Sequence, residues 1–327
     1  MRWRSARSIG QHCGVPIRLL LAALAAAVVT ALGATATAGA ARPTPQLVPD
    51  STLPGDAAFL GPVHRVPANG IEIGYRQFGS GPDLLMITGD TAPMSLWLPY
   101  MLKPLAERFR VTIFDNRGVG YSTDDPSVRL SVPLMARDTA ALIRALGLRR
   151  PTVVGWSMGG EIALTMGALR IGRIGRIVTS GGDGGSRHTV PPPPGLIKEL
   201  ADPDNVQAAL EIMFPKTPAG EAAQAQFIQS YLATPQETVS QQTLDRQAAA
   251  EQAFLRTNVV WKRLGRIRVP TLITNGALDP AVPAVNARRL ARRIPGARLS
   301  IFEGAAHGMM FQDAERFAAL VARFAGR

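Results

Sequence analysis

The 327-residue sequence predicts an α/β fold, a mostly parallel sheet flanked by helices with a helical insertion. Three observations carry that expectation. Short apolar runs alternate with longer amphipathic segments from about residue 71 onward, the pattern of strand–helix units. Most of those runs are apolar throughout, as strands covered on both faces must be. One stretch, 186–263, holds no convincing strand, opens on Pro191–Pro194 and continues in Ala- and Gln-rich sequence. Composition agrees, with 46% hydrophobic and 18% charged residues, which excludes a disordered or fibrous chain.

Taken in order, the chain opens with Arg2, Arg4, Arg7 and Arg18 and no acid. An apolar run from Leu19 to Leu32 follows, and then the small residues Ala36–Ala41. That is the pattern of a secretory signal peptide over 1–40, cleaved after Ala38 or Ala40; an uncleaved membrane anchor is the alternative. In either case the remainder is exported, to the medium or the cell envelope. Cys13 is the single cysteine and lies within this leader, so the body can build neither a disulfide framework nor a cysteine-based zinc site.

The net charge of +12 raises nucleic acid as a partner, but it falls to +8 once the leader is removed. The densest remaining cluster is Arg288, Arg289, Arg292 and Arg293, spaced i, i+4 on a predicted helix. No aromatic residues interleave with it in sequence, so it is expected to be a solvated face, with no nucleic acid bound. Membrane contact is expected only if the N-terminal segment stays uncleaved. Oligomeric state is not encoded in any pattern here.

Residues 41–62, rich in proline, are expected to be a linker or arm without regular structure. The core then falls in two parts, 63–185 and 264–327, on either side of a helical lid at 186–263. Strands are expected at 71–76, 84–88, 111–114, 152–155, 176–180, 271–275 and 298–302. Helices are expected near 94–109, 131–147, 158–170, 284–294 and 310–325.

The chemistry begins at Gly155-Trp156-Ser157-Met158-Gly159, a G-x-S-x-G sequence that ends one predicted strand and opens a helix. A nucleophilic serine at the tip of a tight turn needs neighbours without side chains, so that strand and helix can approach. The turn also aims the Met158 N–H at a developing oxyanion. Such a serine needs a base, and the base needs an orienting acid. Of the four histidines, His12 is in the leader, His64 precedes the first predicted strand and His188 sits at the mouth of the insertion. His307 lies in a small-residue loop after the last predicted strand, and Asp279 lies in the equivalent loop one strand earlier. Both loops fall on the carboxyl edge of the sheet, where open α/β sheets place their ligands. Asp183, in a glycine-rich loop, is an alternative acid or a plain turn residue.

With these residues in place the chain resembles the α/β-hydrolase family from about residue 63 to its end, in the branch of serine esterases, enol-lactonases and non-haem peroxidases. Four motifs carry the resemblance in order. They are the elbow at Ser157, Asp115-Asn116-Arg117-Gly118-Val119-Gly120 followed by Ser122, Gly276–Asp279 with Pro283, and the loop around His307. The resemblance implies Ser157 as nucleophile, His307 as base and Asp279 as orienting acid, with no metal or organic cofactor. It also implies that Asp115–Ser122 shapes the loop beside the nucleophile. By position the backbone N–H groups of Met158 and Asp90 form the oxyanion hole. Here the chain departs from the family pattern, since Thr88-Gly89-Asp90 replaces the usual His-Gly-x and puts a carboxylate near a developing negative charge. Trp156 and His188 are candidate substrate contacts. Phe214, Phe227, Tyr231, Phe254 and Trp261 either line an acyl pocket or pack the insertion on the core.

The expected activity is cleavage of a small-molecule ester, lactone or related acyl compound through an acyl-enzyme. Perhydrolysis by the same triad competes with it, as does a catalytically weak binding protein on the same fold.

Overall fold

The computed structural model describes residues 42–193, 195–196 and 206–326, so the predicted leader, with Cys13, lies outside the described residues. Nine strands form a single sheet in the order β1-β2-β3-β5-β4-β6-β7-β8-β9. They are β1 (Gln46–Leu47), β2 (His64–Ala68), β3 (Ile71–Phe78), β4 (Asp83–Ile87), β5 (Arg110–Phe114), β6 (Thr152–Trp156), β7 (Arg176–Ser180), β8 (Thr271–Gly276) and β9 (Arg298–Phe302). The pairings β1–β2, β2–β3 and β3–β5 are antiparallel and the other five are parallel.

The central strands are buried along nearly their whole length because alternate residues feed two separate cores. Leu85, Ile87, Val153, Ile177 and Ile273 face one core. It is covered by α2 (Val132–Ala145), α3 (Met158–Leu169) and α7 (Ala284–Arg293). Leu84, Met86, Val154, Val178 and Leu272 face the other, covered by α1 (Pro99–Ala106) and α9 (Ala314–Ala325). A residue period of two across a sheet covered on both sides requires this arrangement.

The structure differs from the sequence expectation at the amino end of the body. The described part of the expected arm, 42–62, does not lack regular structure, because β1 pairs with β2 and Gly55–Leu60 winds into a 3-10 helix. Nor does His64 precede the first strand. It opens β2, whose polar positions and Pro67 hide a strand near the edge of the sheet. The predicted helix at 94–109 resolves into a 3-10 turn at Met94–Leu96 and α1. The one at 310–325 is broken at Asp313, whose side chain caps α9 by accepting from Arg316 N and leaves α8 (Met309–Gln312) as a separate turn.

Between β7 and β8 the described residues form α4 (Val206–Met213), α5 (Pro218–Ala233), α6 (Gln241–Arg256) and a 3-10 turn at Trp261–Arg266. Thr217 and Ser240 cap α5 and α6 by accepting from the N–H groups of Gly220 and Thr243. Polar bonds tie this segment to the loops at the carboxyl edge. Gln247 accepts from Thr91 N at 2.7 Å and donates to Arg117 O, Thr243 Oγ1 donates to Gly118 O, and Glu237 accepts from Ser95 N.

Beneath that contact lies a buried ion pair. Arg117 grips both oxygens of Asp138 on α2 at 2.7 and 2.9 Å, with the side chains 2% and 3% exposed. Breaking such a pair strands a charge in a low-dielectric interior. Arg117→Ala is therefore expected to lower stability by about 3–5 kcal/mol. Arg110→Ala, removing the 42%-exposed partner of Asp83, is expected to cost about 1 kcal/mol or less. Urea denaturation of the two variants checks the contrast.

Candidate active site

Ser157 stands between β6 and α3 at φ 54°, ψ −124°, a conformation that residues with a Cβ rarely adopt. The strain is held from three sides. Ser157 N donates to Ser180 O at 2.9 Å, which locks the turn to the end of β7. A Cβ on Gly155 would run into the Gly159 carbonyl, and one on Gly159 into the Ile87 carbonyl. A Cβ on Gly89 would lie 3.2 Å from Ser157 Cβ, so loop 88–91 closes directly over the serine. Met158 is the first residue of α3, and its N–H therefore has no partner within the helix.

Across the same edge, His307 Nδ1 and Asp279 Oδ2 are 2.8 Å apart and both side chains are buried. Asp279 Oδ1 accepts from the N–H groups of Ala281 and Val282, and Oδ2 accepts from Asn275 Nδ2. These bonds aim the carboxylate at the imidazole. The ring lies over Gly181, where a Cβ would be 3.0 Å from both Nδ1 and Cε1, and Gly181 directly follows the Ser180 that accepts from Ser157. His307 N donates to Ile212 O and Gly308 N to Met213 O, so α4 fixes the histidine loop. Asp183 is turned elsewhere, its Oδ1 accepting from Gly185 N and Thr189 Oγ1.

Trp156 is buried. Its Nε1–H donates to His307 O at 3.1 Å, and its ring packs on His307, Trp97 and Phe311. The structure places it as a brace behind the histidine. His188 stacks on Trp261, 5.0 Å between centroids, where the insertion leaves and rejoins the sheet. Phe214 and Phe227 are buried with Phe311, and Phe254 packs on Gly185, so these aromatics join the insertion to the core. Asp115 accepts from Met94 N and Tyr121 N, and Ser122 Oγ donates to Asp115 O, which shapes the loop as the motif implies.

One feature escaped sequence reasoning. Four carboxyl groups converge under α6: Asp90 beside the serine, Glu161 one turn into α3, Asp183 after β7, and Glu251. Gln247, one turn before Glu251, accepts from Thr91 N. Burial pushes Asp90 and Asp183 up to about 6 and Glu251 up to about 8, with mutual repulsion adding to Glu251. Burial, reinforced by Asp183, Glu251 and Asp90, raises Glu161 well above the usual carboxylate range. Single acids scattered over 160 residues give no sequence signal for this. A carboxyl raised to about 6 protonates more readily than an ordinary aspartate, so the charge Asp90 presents in the loop over Ser157 falls as pH drops through that value.

Comparison with known proteins gives the following. A family model described as alpha/beta hydrolase fold matches residues 82–314. A non-heme chloroperoxidase from Streptomyces lividans is 30% identical over 269 residues, covering 74% of this chain and 92% of that protein. An alpha/beta hydrolase fold protein from Chitinophaga pinensis superposes with a TM-score of 0.72 at 25% identity, covering 80% and 96% of the two chains. An esterase from Exiguobacterium antarcticum superposes with a TM-score of 0.65 at 26% identity, covering 80% and 99%.

The raised carboxyl groups bind protons more tightly folded than unfolded. Their stabilising contribution is complete below the unfolded values near 4 and is lost as pH rises through about 6 and then about 8. The melting temperature is expected to fall between pH 5 and pH 9, and Glu251→Gln, which never ionises, should flatten the upper part of that fall. Calorimetry across the pH series reads both curves.

Proposed function

The chain belongs to the α/β-hydrolase fold family and is a hydrolase of that fold, and from this premise we propose that it is an exported serine hydrolase acting on a small ester, lactone or related acyl compound. The observation that carries the reading is the pairing of a strained Ser157 with a buried His307–Asp279 hydrogen bond on the same sheet edge. In this mechanism His307 takes the serine proton and Ser157 attacks the carbonyl carbon. The N–H groups of Met158 and Asp90 hold the oxyanion. His307 then returns the proton to the leaving group, and water attacks the acyl-serine by the reverse route. Asp279 keeps the Nδ1 proton in place and stabilises the imidazolium. Burial raises the Asp90 carboxyl to about 6, so its opposition to the oxyanion weakens as pH falls toward and below that value. Helices α4–α6 act as the lid, and the chemistry calls for no cofactor.

Perhydrolysis, with hydrogen peroxide replacing water at the acyl-serine, is a second outcome of the same triad. The likeness to a chloroperoxidase favours testing it. Export is supported by the arginines, apolar run and Ala-rich exit of residues 1–40.

A fluorophosphonate probe is expected to label the folded wild type and not Ser157→Ala; folded wild-type protein that never labels overturns the enzyme reading. Asp279→Asn should lower kcat by about 10³–10⁴ through loss of the productive tautomer. Peracid formation assayed beside ester hydrolysis separates the two activities. Mass spectrometry of protein recovered from the medium and from the membrane fraction is expected to find an amino terminus just after Ala38 or Ala40, and full-length protein confined to the membrane fraction would indicate the anchor instead.

A further inference from the structure

A cavity of about 410 Å³ opens at the root of the insertion, lined by Arg187, His188, Trp261, Arg289, Arg292 and Arg293. Its walls come from three places in the chain: the loop after β7, the 3-10 turn before β8, and α7. No acidic side chain lines it, and among the described residues none of its four arginines forms an ion pair with a carboxylate. The one polar bond seen within it runs from the Arg289 guanidinium to His188 O. The His188 and Trp261 rings stack nearly parallel, 18° apart, and line the same cavity as the four arginines.

Ordinary helix chemistry accounts for part of this. Arg292 and Arg293 sit in the last turn of α7, where cations complement the helix dipole. It does not account for Arg187, which is not on the helix, nor for Arg289, spaced i, i+4 from Arg293 in a like-charge pair that weakens an isolated helix. Positive groups brought together from separate elements around an open space repel one another unless an anion lies between them. Four guanidinium forks supplied by two elements match an anion with several oxygens, as phosphate has, better than a planar carboxylate with two.

We propose that this cavity is a binding site for a phosphate-type anion, separate from the Ser157 edge and bridging the two ends of the insertion. An occupant would touch Arg187, where the chain leaves the sheet, and α7, which packs on the sheet. Asn286 on α7 already holds Val190 through both its N–H and C=O at 2.8 Å, so an anion here would reinforce an existing joint.

The chemistry is shared by free phosphate compounds and anionic lipid headgroups, and two arms distinguish them. In the first, pyrophosphate is titrated calorimetrically into the full chain, into a variant carrying Arg289→Glu with Arg293→Glu, and into one carrying Arg289→Lys with Arg293→Lys. The glutamate variant is expected to bind at least about tenfold more weakly, and the lysine variant to fall between. In the second arm the wild type and the glutamate variant are sedimented with vesicles of phosphatidylcholine alone or mixed with phosphatidylglycerol. A phosphatidylglycerol-dependent difference between the two proteins identifies a headgroup source; dependence on pyrophosphate alone identifies a free one. Melting curves establish that the variants are folded. Equal pyrophosphate and vesicle binding by wild type and glutamate variant, or no binding by wild type in either arm, overturns the proposal.

Discussion

The site depends on one steric constraint, the close approach of α3 to the ends of β4, β6 and β7. The first turn of this helix sits where any Cβ on Gly155, Gly159 or Gly160 would meet backbone or a buried hydroxyl. Gly182, across from Gly160, leaves no more room, since a Cβ on either would fall about 3 Å from the other's Cα. Only with that approach can Ser157 occupy its positive φ, and only then does the helix N-terminus point at the space above the serine. The conformational strain at Ser157 is offset by packing that would be lost if the turn relaxed, which is how a surrounding fold holds an unfavourable backbone geometry.

Burial then decides the electrostatics of what is built around the turn. Where charges are matched, as in Arg117 with Asp138, a low-dielectric interior makes them a structural pin. Where they are unmatched, as in the four carboxyl groups of Asp90, Glu161, Asp183 and Glu251, the same interior raises their proton affinity. The distinction matters for Asp90. In sequence it is an acid at the position of an oxyanion donor, a conflict on its face. In the fold its environment raises its proton affinity, so the conflict depends on pH.

The parts legible in the sequence are those whose physics is local. Parallel strands covered on both faces must be apolar at consecutive positions, and the glycines of the Ser157 turn must flank it in sequence. Both are therefore visible in one dimension. Asp279 and His307 were legible because each follows a strand in a loop of small or turn-forming residues. What stayed hidden needs long-range placement. β2 carries Arg65 and Pro67 and looks like a loop until its pairing with β3 is known. The acids Asp90, Glu161, Asp183 and Glu251 share no motif, and only the packing of α6 brings them together. The α7 arginines are the solvated face the sequence predicts, and what it leaves hidden is that His188 and Trp261, more than 70 residues apart, stack and line the same cavity.

The two charged clusters lie at different places along the insertion between β7 and β8. Toward its middle, α6 closes over the carboxyl groups next to the serine. At its two roots, the insertion is flanked by arginines with no carboxylate partner among the described residues. These acids are buried, so whatever charge they carry is lightly screened; the arginines are open to solvent and screened by salt. One cluster therefore sets a proton affinity within the site, while the other acts on ions that reach it from solution.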